Sequence, residues 1–180
     1  MRIICLNERV GNLMIVTDRL AIRRLLPTDF QQYAELTAFP EVADGAGFNF
    51  ISNPQMIKSA LVRQLKNKGT YGVFEDQQLI GAVLLFERIG ASGRPDPENL
   101  EVSYFLRPDR WQMGYMTEAL KTIVAGVKAR HQVRSLYAEV LVTNARSVAL
   151  LERLNFELVT KLRDPILGSD KLIYERKLRA

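Results

Sequence analysis

Cysteine and histidine are almost absent from this chain of 180 residues, which has one of each, Cys5 and His131. A single cysteine excludes an internal disulfide framework. One cysteine with one histidine excludes the usual Cys/His zinc clusters, so no metal site is expected. Long apolar runs are missing too, and no stretch approaches the length of a transmembrane helix. The short apolar run after Arg2 gives way to Asn7, Glu8 and Arg9. It is too short for the apolar core of a signal peptide, and a cytoplasmic location is expected. Runs of lysine and arginine never exceed two or three residues. The net charge of +5 is scattered among acids, which reads as a solvated surface and not as a nucleic-acid footprint. A basic nucleic-acid binder would need steep salt dependence of binding. Internal repeats and low-complexity segments are also lacking.

What is present is an ordinary globular composition, 47% hydrophobic and 25% charged. The length favours one domain, residues 1–180, with a sizeable core. Residues 1–16 hold two apolar runs around Asn7 to Asn12 and read as a hairpin or an added edge strand. Thr17 to Leu26 reads as a strand ended by Pro27, and Thr28 or Asp29 as the cap of a short helix lined by Phe30, Tyr33, Ala34 and Leu36/Thr37. Phe39 to Pro54, with Pro40, Gly45, Gly47, Phe48 and Phe50, reads as a loop. A helix starting at Pro54 should bury a stripe of Met56/Ile57, Ala60/Leu61 and Leu65. Thr70 to Glu75 and Leu79 to Arg88 read as a hairpin, with Gly81 marking a bulge. Phe156 to Val159 and Leu172 to Lys177 read as two final antiparallel strands.

The chain is organised around residues 107–120, Arg-Pro-Asp-Arg-Trp-Gln-Met-Gly-Tyr-Met-Thr-Glu-Ala-Leu. An apolar strand pattern, Leu100 to Leu106, precedes it. A helical pattern follows, with Met116, Leu120, Ile123, Val124 and Val127 on one stripe. A strand that turns sharply into a helix leaves the first backbone N–H groups of the helix unpaired. Together with the helix dipole they form an anion site, and Gly114 permits close approach. The strand Ser135 to Val142 completes a right-handed βαβ unit. Ligands of open α/β sheets sit beyond the carboxyl ends of such strands, where Trp111 to Tyr115 lies. Downstream, Asn144 caps a helix whose stripe is Val148, Leu151 and Leu154; Ser147 falls in its first turn. On spacing alone Asn144 and Ser147 are simple capping residues or a second half of the same site.

The 107–120 stretch resembles the acetyl-coenzyme A pyrophosphate loop of GNAT-superfamily N-acetyltransferases, Q/R-x-x-G-x-G/A. It is most similar to the ribosomal-protein N-acetyltransferase branch, whose loop reads Trp-Gly-x-Gly-Tyr-Ala/Met-Thr-Glu-Ala-Leu. Trp111, Gly114, Tyr115, Met116, Thr117, Glu118, Ala119 and Leu120 match. Gln112 stands where that branch has glycine, and Met116 where the broad pattern has glycine or alanine. Asn144, Ser147, Leu150, Leu151 and Phe156 resemble the second signature, with Asn155 in place of the usual glycine. Asparagine tolerates the left-handed conformation better than other non-glycine residues.

The resemblance spans roughly Thr17 to Leu178. It implies a mixed α/β fold: a mostly antiparallel sheet of about seven strands, about four flanking helices, and one parallel strand pair splayed at the cofactor site. It implies acetyl transfer from acetyl-coenzyme A to a primary amine, either a protein N-terminal amine or a small molecule. No membrane or nucleic-acid partner is implied, and the protein is a monomer or homodimer. Cofactor binding is implied for Trp111, Gln112, Met113, Gly114, Tyr115, Met116, Thr117, Asn144 and Ser147. Arg107, Arg110, Arg146 and Arg153 lie around the two signatures, where one or two could pair with the phosphates. The tyrosine that serves many relatives as thiolate partner falls at Leu151, so Ser147 is the candidate for that duty. Glu101, in a strand similar to the family's Glu-Ile-Gly-Tyr, is the candidate base, with Glu139 as its competitor. Ser103 stands there in place of the glycine. Glu118 reads as a favourable charge at the helix start. The segment 39–54 matches a region that helps form the acceptor pocket in relatives, or is an ordinary loop. The departures at Gln112, Met116 and Asn155 keep an alternative open, a catalytically inactive coenzyme A-binding regulatory domain.

Overall fold

The computed structural model describes residues 2–7, 12–45, 53–163 and 168–179. Nine strands alternate with five α-helices among them. Strand neighbours run β1-β2-β3-β4-β5-β6-β7-β9-β8 in chain numbering. The fold is mixed α/β with a mostly antiparallel open sheet and one parallel pair, as expected. The chain divides into two compact units, Met1–Leu84 with Tyr104–Leu120, and Leu85–Ser103 with Lys121–Ala180.

In the first unit β1 (Arg2–Asn7) and β2 (Asn12–Val16) form an antiparallel pair, the first of the two alternatives open for residues 1–16. β2 pairs with β3 (Ala21–Arg24), β3 with β4 (Thr70–Glu75), and β4 with β5 (Gln78–Ile89), all antiparallel. Helices α1 (Phe30–Thr37) and α3 (Pro54–Lys66) supply Tyr33, Leu36 and Leu61 to a core with Leu25, Phe74, Leu79, Leu84 and Phe105. The Tyr33 and Phe105 rings stack at 6.0 Å, and the Tyr33 hydroxyl donates to Gln64 at 2.6 Å. Burial pushes the Tyr33 phenol well above its usual range.

Three local expectations do not hold. The segment 39–54 is not all loop: α2 (Pro40–Gly45) opens it, with Val42 buried. Its Pro and Gly, taken as turn signals, are the first and last residues of a short helix. The aromatics Phe48 and Phe50 and Gly47 lie outside the described residues. Asp29 does not cap α1 with its side chain. Its buried carboxylate accepts from the Leu26 amide at 2.7 Å and takes both Arg23 Nη atoms at 2.7 and 2.9 Å, which closes the 3-10 turn Pro27–Asp29. Burial alone would raise the Asp29 pKa, but the Arg23 and Leu26 bonds hold it below the usual range. Of the pairs expected to line α3, Met56 of Met56/Ile57 is 58% exposed, whereas Leu61 of Ala60/Leu61 is buried. The Asn53 side chain caps α3 through the Gln55 and Met56 amides.

The second unit carries β6 (Pro95–Leu106) up to Ser103, β7 (Ser135–Leu141), β8 (Glu157–Arg163) and β9 (Asp170–Lys177). β6 and β7 are parallel, with Asn99, Leu100 and Glu101 opposite Ser135, Leu136 and Tyr137. β7 and β8 each pair antiparallel with β9. One face of β7 buries Leu136, Ala138 and Val140; the other presents Tyr137 and Glu139. Ile123, Val124 and Val127 of α4 (Tyr115–Ala129), with Leu151 and Leu154 of α5 (Ala145–Arg153), are buried at their expected periods. β8 runs past the expected Val159 to Arg163, exposed throughout, with a register shift at Leu158/Thr160. A bulge on an exposed edge strand discourages pairing with another chain.

Candidate active site

The loop that carries the first signature begins at a bulge. The β4–β5 register shifts between Val73 and Phe74, opposite Gly81 and Leu79, so Ile80 is the extra residue. The Ile80 carbonyl accepts from the Arg107 amide at 2.8 Å, which fixes the start of the loop. A β-carbon at Gly81 would lie 2.8 Å from the Phe105 carbonyl, so only glycine permits this approach. Pro108–Arg110 forms a 3-10 turn, and the Trp111 indole N–H reaches back to the Leu106 carbonyl at 2.8 Å. Trp111 thus braces the loop by hydrogen bonding.

The chain then makes two left-handed steps, Gln112 at φ 63° and Gly114 at φ 80°. Gln112 adopts the conformation that glycine would take more easily. α4 starts at Tyr115, and its first bond runs from the Glu118 amide to the Gly114 carbonyl at 3.0 Å. Helix geometry therefore leaves the N–H groups of Gly114, Tyr115, Met116 and Thr117 without intrahelical acceptors. They converge at the positive end of a helix of 15 residues.

A polar frame holds this turn. Arg19 donates from Nε to Glu118 at 2.9 Å and from Nη1 to the Met113 carbonyl at 2.9 Å. Its guanidinium lies 4.4 Å over the Tyr115 ring. The Thr17 hydroxyl donates to the same Glu118 carboxylate. Burial would raise the Glu118 pKa, yet the Thr17 and Arg19 bonds lower it. The Tyr115 hydroxyl donates to Glu75, and that bond, with Arg110 Nε at 2.8 Å, holds the Glu75 carboxyl below its usual range. Arg107 pairs with Asp109 at 3.1 Å. Arg107 and Arg110 thus already have carboxylate partners within their own unit. Thr17, Arg19 and Glu75 were not among the sequence candidates. The opposite charges of Arg19 and Glu118 were the only signal, and 99 positions separate them.

In the second unit the second signature builds both ends of α5. The Asn144 side chain accepts from the Ser147 amide at 3.1 Å. At the other end Asn155 sits at φ 57°, as its tolerance of that region allows. The Phe156 amide bonds the Leu151 carbonyl at 3.0 Å, and the Asn155 amide the Glu152 carbonyl at 2.9 Å. That is the paired Schellman closure, and the buried Phe156 and Leu151 occupy its apolar positions.

Glu101 stands directly opposite Tyr137 in the parallel register. Burial raises its pKa, and the Glu139 charge raises it further, against smaller opposing effects of Arg88 and Lys171. A carboxylate pushed upward is better matched to receiving a proton from an amine. Glu139 is more exposed and lies 3.7 Å from Lys171. Among the described residues no His/Cys/Asp/Glu group could hold a metal ion, and no helix is long and apolar enough to cross a membrane.

Comparison with known proteins agrees with this geometry. Residues 19–157 match the family model for the acetyltransferase (GNAT) domain. No curated protein matches. Among solved structures, a GNAT-family acetyltransferase from Bacillus anthracis superposes with a TM-score of 0.77 at 15% identity, covering 92% of this chain and 98% of that one. An acetyl transferase from Salmonella typhimurium that modifies the N-terminal serine of ribosomal protein L7/L12 gives 0.76 at 16% identity, over 91% and 97%. The microcin C7 self-immunity acetyltransferase MccE, in complex with acetyl-CoA and AMP, gives 0.72 at 16% identity, over 89% and 93%. At these identities the structures speak to the fold, and the family match spans well over half of the chain. The chain belongs to the GNAT acetyltransferase family.

Proposed function

We propose that this protein is a cytoplasmic N-acetyltransferase that moves an acetyl group from acetyl-coenzyme A to a primary amine, by direct attack of the amine on the thioester. Residues 1–180 act as one catalytic domain, and the family match takes in segments of both compact units. The observation that carries the reading is the turn at Gln112 to Thr117: left-handed steps at Gln112 and Gly114 lead into α4, whose first N–H groups have no intrahelical acceptors. Those donors fit a pyrophosphate, and a Gly114 β-carbon would meet only Arg19 Nη2, at 3.5 Å, so the approach is open. A structural neighbour binds acetyl-CoA, and another acetylates a protein N-terminal amine.

In this reading Trp111 to Thr117, with Asn144 and Ser147, hold the cosubstrate. The amine nitrogen bonds to the acetyl carbon, the carbon–sulfur bond breaks, and the sulfur leaves with the electron pair. A backbone N–H of the strand before Asn144 polarises the carbonyl. Glu101 takes the proton that the attacking amine loses, directly or through one water. Ser147 steadies the departing sulfur. The acceptor is a protein N-terminal amine or a small amine.

The test is release of free thiol from acetyl-coenzyme A with a panel of primary amines, the acetylated product being identified by mass spectrometry. Thiol release dependent on amine is the expected result. Tight cofactor binding with no release for any amine would favour the inactive regulatory domain. In an active preparation, Ser147→Ala should lower kcat about tenfold, the scale of one lost hydrogen bond, with little change in cofactor affinity. An unchanged kcat with a raised KM would reassign Ser147 to binding.

A further inference from the structure

Arg88, near the end of β5, is a cation that the site described above leaves without a role. Its guanidinium lies 4.1 Å over the Tyr137 ring. Its Nη1 is out of contact with solvent and has no hydrogen-bond partner. Two carboxylates, Glu101 and Glu175, feel its charge, yet none of the ion pairs among the described residues includes it. Glu175 accepts from the Ser135 and Tyr137 hydroxyls at 2.7 and 2.9 Å. Glu139 lies beside Lys171. Glu101 feels the charge of Arg88 without a bond between them. A buried donor left unmade is costly, and such groups in native structures call for an explanation.

A guanidinium carries donors only, so whatever satisfies Nη1 must present an oxygen or similar acceptor. Tyr137, beneath Arg88, is the cross-strand partner of Glu101. Arg88 and Glu101 are thus both neighbours of Tyr137, and the charge of Arg88 acts on the Glu101 carboxyl. One compact ligand can reach both, with its amine toward the carboxylate and its oxygen toward the guanidinium. We propose that Arg88 is a specificity-determining residue that binds an oxygen of the acceptor. The acceptor is then an amine with a carbonyl or carboxylate oxygen close to the reacting nitrogen, and a bare alkylamine or polyamine is a poor substrate. This rests on the reading of Glu101 as the residue that meets the amine.

The experiment compares Arg88→Met with the parent protein on glycinamide, glycine and n-propylamine, by thiol release from acetyl-coenzyme A. The ratio of the two proteins for each amine cancels the amine's own pKa. Arg88→Met should lower kcat/KM at least tenfold for the acceptors that bear oxygen, chiefly through KM, and less than twofold for n-propylamine. Glycine suffering more than glycinamide would mark a carboxylate as the preferred oxygen, and the reverse a carbonyl. Arg88→Lys, which keeps the charge and loses the planar fork, should recover part of the loss; it also takes the place of Arg88→Met should that variant not fold. Equal losses for all three amines, or no loss, overturn the role of Arg88. Turnover of n-propylamine or a polyamine in preference to glycinamide overturns the acceptor class while acetyl transfer stands. Cofactor binding without thiol release for any amine overturns both, since the function reading has then failed first.

Discussion

Glu101→Gln is expected to leave the fold intact and to slow acetyl transfer about 100-fold to 10,000-fold near neutral pH, the usual range for one positioned acid or base. Activity of the parent protein should rise with pH as Glu101 ionises, and burial, with the Glu139 charge, shifts that rise upward. Deprotonation of the amine in solution also raises activity, so the decisive comparison is the pair of pH profiles for one amine of known pKa. The variant should recover only where the amine is already neutral. Stability supplies an independent check, and its sign runs opposite to the usual carboxylate. The folded protein holds the Glu101 proton more tightly than the unfolded chain, so stability falls as pH rises from the unfolded value through the raised folded one. The amide in the Glu101→Gln variant carries no charge, so the variant should melt no lower than the parent at neutral pH while losing activity. Equal rates across the pH range would remove Glu101 from the proton path, and Glu139 would be substituted next.

The parts of this fold legible in the sequence are those governed by local rules. The α4 stripe of Met116, Leu120, Ile123, Val124 and Val127 is buried as its period requires. Asn144 caps α5, and Asn155 closes it in the left-handed region, because capping and turn conformations depend on the residue itself. The two positions that depart from glycine, Gln112 and Asn155, take glycine-like dihedrals all the same. Asparagine tolerates that region, whereas Gln112 holds it at a steric cost.

Other features had no local signal. Arg19 and Glu118 are brought together by the pairing of distant strands, and nothing in either segment names the other. The same holds for Glu75, which braces both Tyr115 and Arg110. Thr160 to Arg163 alternates poorly because β8 is exposed on both faces, so periodicity cannot mark where it ends. Arg88 looks like any surface arginine in sequence. Only the placement of Tyr137 and Glu101 beside it, and the hydroxyls that occupy Glu175, make its unpaired nitrogen visible.

Gly114→Val should weaken acetyl-coenzyme A binding at least tenfold. Two effects act together. At φ 80° a β-branched residue is strained, which costs about 1–2 kcal/mol and drives the turn away from the conformation that aims its N–H groups. The valine methyls also cover the open side of the turn, where the native glycine meets only the Arg19 guanidinium. Gly114→Ala separates the two. Its β-carbon would sit in ordinary contact at 3.5 Å, so it keeps most of the space and bears the dihedral cost alone. Affinity should fall in the order glycine, alanine, valine, with the larger step at valine if crowding of the pyrophosphate dominates and at alanine if strain dominates. Calorimetric titration with coenzyme A measures the order, and circular dichroism with a melting curve confirms that each variant is folded. Gly126, in the interior of α4, has open space where a β-carbon would go, so Gly126→Ala serves as a control that should leave affinity unchanged. A folded Gly114→Val protein that binds coenzyme A as tightly as the parent would mean that the phosphates lie elsewhere, and the assignment of Trp111 to Thr117 as the cofactor loop would fall with it.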